Sequence, residues 1–213
     1  MAFDRAIYII RIFWRFRYYL GAAFVALFFW DSFFIKPFRL FVIVVHEMCH
    51  ATAALATGGN VIEMRMNWNE SGHTLTQGGF FPIISAAGYV GSAIAGALLI
   101  YTSLLPLLQR FVLMLVGVSS MGMTMWYTPI GGFDFYLGIF GGLALLMAAL
   151  YSRSTAKAAA VWIGVILCLY SLFDFYTDFG GQTEATDAGI LAKYWGHVWL
   201  AYPIAASWVL VSL

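Results

Sequence analysis

Charge is what this sequence has least of. Asp, Glu, Lys and Arg together make up 10% of its 213 residues, against 62% hydrophobic residues. A soluble domain of this length carries about 25% charged residues on its surface, so the composition excludes an ordinary globular domain and indicates an integral, multi-pass membrane protein whose first partner is the lipid bilayer. The few charges almost cancel, with 11 Lys and Arg against 10 Asp and Glu. No basic cluster is interleaved with aromatic residues, which argues against a nucleic-acid partner. Cysteine is nearly missing too: Cys49 and Cys168 lie far apart in apolar stretches, so neither a disulfide framework nor a thiolate metal knuckle is expected. There is no long-period repeat and no low-complexity tail. Arg5, Arg11, Arg15 and Arg17 precede an apolar run as in a signal peptide, but no small-residue cleavage site follows. That run is therefore expected to remain as a first membrane helix.

What is present is a series of apolar runs. Spanning a bilayer takes about 20 mostly apolar residues, and breaks at Gly, Pro and charged positions divide the chain into about seven such segments. They run approximately Tyr18 to Phe34, Phe38 to Thr57, Ile84 to Leu105, Phe111 to Tyr127, Phe133 to Tyr151, Ala156 to Tyr176 and Ile190 to Leu213. Lys36-Pro37, Leu105-Pro106, Pro129 to Gly132 and Gly180-Gly181 mark the breaks. The fold class expected is an all-α multi-pass membrane protein of about six to seven transmembrane helices. Residues 1–213 read as a single domain, with its core over about 38–105 and 156–195. Lys and Arg divide almost evenly between the two faces, and the four N-terminal arginines favour a cytoplasmic start.

One segment departs from the helical pattern. "NVIEMRMNWNESGHTLTQGG", Asn60 to Gly79, sets Ile62, Met64 and Met66 against Val61, Glu63 and Arg65, turns at Asn69 to Gly72, and continues through Thr74 and Thr76. This alternation predicts a β-hairpin over about 60–79. Open strand edges are not tolerated in lipid, so the hairpin belongs at the interface or buried in protein.

Just before it, "VVHEMCHATAALATGG" places ionisable groups inside an apolar helix. His46 and His50 are four residues apart and project from one helical face, where they can share a metal ion. Glu47 stands beside the first histidine and can serve as general base to a water that the metal activates, the H-E-x-x-H arrangement. A single buried histidine is most often a hydrogen-bonded core residue. Three such groups at this spacing and at membrane depth, where ionisable side chains are functional by default, point instead to a zinc site.

"HEMCHATAALATGG", then "SGHT" in the hairpin, then "AAGYVGSAIAGALL", together resemble the site-2 protease-like intramembrane zinc metallopeptidases, in their compact peptidase-like branch, over about Val44 to Leu99. "CLYSLFDFYTDFGGQTEATDAGILAKYWG" resembles the same branch, which carries an aspartate near the end of a membrane helix and then a Ser/Thr-Asp-Ala motif. The resemblance implies a membrane-embedded Zn²⁺ site and a membrane protein or peptide as substrate.

A catalytic zinc has three protein ligands and an open position, so a third must be found. Asp174 and Asp178 lie four residues apart near the end of the sixth apolar segment, where carboxylates oppose the helix dipole unless a cation is near. Asp174, the deeper, ranks first, with Asp178 able to orient a ligating histidine. Asp187 in "ATDAGILA" precedes a helical pattern, where capping is its ordinary role; the resemblance keeps it as a reserve ligand. Asp134 in "TPIGGFDF" is faintly similar to the Leu-Asp-Gly motif of better-known site-2 proteases, although Phe135 replaces the glycine. Its ordinary role is that of a solvated anion at a helix start. Glu63 and His73 on the hairpin are outsiders, and His73 and His197 each lack a partner at ligand spacing. Gly88, Ser92 and Gly96 recur every fourth residue and read as a close-packing face, set against the zinc helix. Met121, Met123 and Met125 form no single face and read as filler.

These features predict an HExxH zinc metalloendopeptidase acting on membrane-embedded or membrane-adjacent peptide bonds, with His46, His50 and Asp174 as ligands and Glu47 as base. The alternative is a non-catalytic membrane scaffold or a metal-binding, transporter-like protein, which would function without Glu47.

Overall fold

The computed structural model describes the backbone of residues 2–179 and 186–212 and the side chains of residues 13–14, 16–173 and 186–212. Elements follow in the order α1 (Ala2–Phe28), α2 (Lys36–Ala56), β1 (Asn60–Met66), β2 (Gly72–Gln77), α3 (Phe81–Thr102), α4 (Pro106–Tyr127), α5 (Phe133–Tyr151), α6 (Arg153–Phe179), α7 (Asp187–Tyr194), a 3₁₀ turn at Val198–Leu200, and α8 (Ala201–Ser212). Among the described residues, α2, α3, α4, α5 and the Arg153–Phe173 part of α6 are long and apolar enough to cross a bilayer. The protein is an integral, multi-pass membrane protein. Large apolar side chains such as Phe111, Leu115, Val118, Phe140 and Met147 point outward with no core to cover them, an arrangement that lipid tolerates and water does not.

Proline sets several helix starts. Pro37, Pro82 and Pro106 occupy the first turns of α2, α3 and α4, where the missing N–H has no partner to lose. The last segment expected from sequence, Ile190 to Leu213, is not one helix. It divides into α7 and α8, because Gly196 takes φ +81, a conformation that ends a right-handed helix.

Helix α2 is the centre of the molecule. Val42, Val44 and Val45 have no exposed surface, and Leu40 and Ile43 almost none. It packs against α3 and α6 on one side and against both hairpin strands on another. Helices α3 and α6 approach closely where Gly96 and Gly164 face each other: a Cβ at Gly96 would stand 2.8 Å from the Gly164 carbonyl oxygen, and one at Gly164 would stand 2.8 Å from that of Gly96. Part of the Gly88, Ser92, Gly96 face therefore packs on α6 rather than on α2, and the Ser92 hydroxyl meets that of Ser171 at 3.2 Å. A second, smaller core joins Tyr89 of α3 to Leu191 of α7 and Trp208 of α8.

The hairpin forms as the alternation predicts, with β1 and β2 antiparallel and Met64 opposite Thr74. Its register slips between Val61 and Glu63. That bulge takes Ile62 off the face it would share with Met64 and Met66: Ile62 is 55% exposed, while Met64 and Met66 are buried. The hairpin is pinned at several points. Arg39 of α2 reaches Glu70 at 2.8 Å, Lys36 lies over the Trp68 ring at 4.7 Å, and Trp68 meets Phe133 of α5 edge to face at 4.9 Å.

Candidate metal centre

The histidines project from α2 as their spacing requires, and both are buried, with 8% of His46 and 6% of His50 exposed. His50 Nδ1 lies 2.6 Å from the carbonyl oxygen of Ile84. A carbonyl only accepts, so Nδ1 carries the proton and Nε2 of the neutral ring presents a lone pair. That lone pair faces His46 Nε2 at 3.0 Å and Asp187 Oδ2 at 3.0 Å, and His46 Nε2 lies 3.1 Å from the same carboxylate oxygen. Three ligand-type atoms thus converge on one point, an arrangement that a shared cation satisfies. Ligands held about 2.0–2.1 Å from one tetrahedral zinc stand about 3.3 Å apart, close to the separations found. Two imidazole nitrogens and one carboxylate oxygen are a donor set that zinc accepts. Among the described residues, His46, His50 and Asp187 are the cluster of this kind.

Space for an ion comes from Gly88. A Cβ there would run into His46 Nε2 and His50 Nε2, so the α3 backbone leaves open the volume in front of the two ring nitrogens. Tyr89, the next residue, sets its ring edge to face against His46 at 5.3 Å. Asp187 is held from several directions. Thr186 caps α7 by accepting the Gly189 N–H at 3.1 Å, which leaves the Asp187 carboxylate free of the capping role expected of it. The Ser85 hydroxyl donates to the Asp187 backbone carbonyl at 2.8 Å, and Ala188, Leu191 and Ala192 are buried beneath.

Glu47 sits one residue from the cluster and is 4% exposed. The Thr74 hydroxyl donates to Glu47 Oε2 at 2.8 Å, and Gly72 passes so close to Oε1 that a Cβ there would collide with it. Strand β2 therefore lies over the carboxylate.

The other candidates fall elsewhere. The side chains of Asp174 and Asp178 lie outside the described residues. Asp134 is not at the histidines, and it is not solvated as its helix-start position suggested. It is 2% exposed and its Oδ2 stands 2.9 Å from Arg65 Nε on β1, so it ties α5 to the hairpin. Glu63 lies 3.2 Å from Arg65 Nη1, and His73 is exposed on β2. Cys49 and Cys168 are both free thiols. Thr74, Gly72, Ser85 and Gly88 were not singled out by sequence reasoning as parts of the site. "SGHT" and "AAGYVGS" contain three of them, Gly72, Thr74 and Gly88, but spacing along the chain carries no information about which atoms a glycine faces.

A multi-pass membrane protein with two histidines and a carboxylate converging beside a buried glutamate is the kind of molecule that fold and site define. The sequence profile of the family described as Peptidase M50B-like matches residues 19–213. The chain belongs to that family, a site-2 protease-type metallopeptidase family, in agreement with the resemblance in its motifs. No curated protein and no solved structure matches the chain.

Proposed function

We propose that this protein is a zinc-dependent endopeptidase that hydrolyses a peptide bond within or next to the membrane-spanning part of its substrate. His46 Nε2, His50 Nε2 and Asp187 Oδ2 would hold the metal, with Asp187 in the role that sequence reasoning gave first to Asp174. When bound there, zinc polarises a carbonyl and lowers the pKa of a water molecule. Glu47 takes a proton from the attacking water as its oxygen bonds to the carbonyl carbon, and returns the proton to the amine as the C–N bond breaks. Thr74 holds the Glu47 carboxylate in one orientation by donating to Oε2. Burial of Glu47 beneath β2 keeps bulk water from that carboxylate. A helical substrate hides its carbonyls in backbone hydrogen bonds and must unwind locally. A two-stranded sheet has an outer edge on each strand, and an unwound segment can add to such an edge.

The observation that carries the reading is the convergence of the three ligand-type atoms at 3.0–3.1 Å, one residue from a glutamate held by its own hydrogen bond. The test is Glu47→Gln in detergent-purified protein, with metal content measured beside cleavage of a panel of co-expressed single-span membrane reporters. Glutamine keeps the size and the bond from Thr74 but cannot act as a base. One zinc per chain should remain while cleavage falls by about 10²- to 10⁴-fold. A folded, zinc-loaded Glu47→Gln protein with undiminished activity would refute the proposal and support the scaffold reading instead.

A further inference from the structure

On the side of α2 away from the histidines, an opening of about 410 Å³ lies between α2, α5 and α6. Phe38 and Phe41 form one wall, Phe133, Tyr136 and Phe140 another, and Ile163 closes the back. At Gly141 the floor is backbone: a Cβ there would collide with the Phe41 ring. All three helices cross the bilayer, so the opening faces acyl chains rather than water. Its size selects among hydrophobic occupants. A spanning helix about 10 Å across and 30 Å long is several times too large, whereas methylenes at interior packing density take about 25–27 Å³ each, so about fifteen of them fill the space.

The mouth of the opening has its own chemistry. Pro37 lines it, and the neighbouring Lys36 has its ammonium over the Trp68 ring. Trp68 is in turn against Phe133, which also lines the opening. Arg39 is paired with Glu70 and Asp31, but among the described residues Lys36 has no carboxylate partner within ion-pair distance. An apolar slot the size of one chain thus ends at a cation with no carboxylate partner among the described residues, beside an indole ring, the level at which phospholipid headgroups lie.

We infer that this opening is a binding site for one bilayer phospholipid, with an acyl chain between α2, α5 and α6 and its phosphate at Lys36. The lipid bridges the start of α2 and the start of α5 and packs beneath Trp68, so it braces the hairpin that covers Glu47. The site does not depend on the proposed peptidase activity.

The test uses the full chain in phosphatidylcholine nanodiscs doped with one of two probes, phosphatidylglycerol or phosphate-free diacylglycerol, each with a photoreactive diazirine in one acyl chain. Labelled residues are mapped by mass spectrometry. Phosphatidylglycerol should label residues 37–41 and 133–145 above the outer face of α4, and about five-fold more than diacylglycerol does, the factor one Lys contributes near anionic lipid. Lys36→Gln, a change at a partly exposed position, should abolish that five-fold preference. Ala144→Phe, which fills the slot, should remove labelling of both walls by both probes. Even labelling of all outward faces, a phosphatidylglycerol preference unchanged in Lys36→Gln, or a copurified protein segment crosslinked in the slot would each overturn the inference.

Discussion

Gly88→Ala is the sharpest probe of the metal centre, because it alters neither a ligand nor an ionisable group. The added Cβ would occupy the position that the His46 and His50 Nε2 atoms already crowd, so either the two rings turn or α3 moves away from α2. Overpacking of this kind costs about 1–3 kcal/mol. Ligands swung off their common point by part of an ångström should lose about 10- to 100-fold in metal affinity, as when an orienting partner is lost, which is about 1.4–2.7 kcal/mol. Gly96→Ala is the matched control. Its Cβ would stand 2.8 Å from Cys168 Sγ and from the Gly164 carbonyl oxygen, prying α3 from α6 two helical turns from the histidines. Zinc affinity can be measured by metal analysis after equilibration at buffered free zinc, beside thermal unfolding of the same samples. Gly88→Ala should lose affinity with a modest fall in Tm, and Gly96→Ala should lose Tm while each folded chain keeps its zinc. Wild-type zinc affinity in Gly88→Ala would refute the placement of the ion in this cradle. Equal zinc loss in the two variants would show that zinc loss follows any disturbance of α3.

Two further outcomes follow from the same geometry. Asp187→Asn replaces the carboxylate proposed as third ligand by a neutral amide and should lower zinc content more than Asp174→Asn does, while Asp134→Asn should keep zinc and lower Tm by unpairing Arg65 from its buried partner; a larger zinc loss in Asp174→Asn than in Asp187→Asn would return the third ligand to α6. Thr74→Val removes the hydroxyl that holds Glu47 and should lower kcat by about ten-fold with KM little changed, whereas Thr74→Ser should restore most of it; equal rates in Val and Ser variants would show that the hydrogen bond positions nothing of consequence.

The elements legible in the sequence were those that local physics fixes. Proline at helix starts, apolar length and strand alternation located α2 through α6 and the hairpin closely, because each depends on neighbours in the chain. The four-residue spacing of His46 and His50 made the shared face certain once the helix was granted. What the sequence left hidden was contact between distant segments. Asp187 lies 141 residues from His46, and its spacing suggested only a helix cap. Thr186 does that work, a distinction that two adjacent capping-type residues do not reveal. Asp174 and Asp178 have an i, i+4 relation that repeats that of the histidines, and their side chains lie outside the described residues. Such a relation shows that two groups share a face, but not what the face meets. Ile62 illustrates the limit within a strand, where a single bulged residue reverses which side chain is buried.

The ionisable groups of α2 are placed where the fold can supply partners from every side. A histidine or carboxylate facing lipid would be costly, and α2 avoids this by lying at the centre of the bundle, with valines packed around it. Each surrounding layer then contributes a different polar function toward the same turn of helix. From α3 come the Ile84 carbonyl that fixes the His50 tautomer and the open space at Gly88. The start of α7 brings the Asp187 carboxylate, and β2 brings the Thr74 hydroxyl to Glu47. None of these groups lies on α2, so the site exists only when all four elements are docked. Metal binding should therefore be coupled to tertiary assembly. A glycine and a threonine on α3 and β2 consequently matter to the site as much as residues nearer in sequence to the histidines.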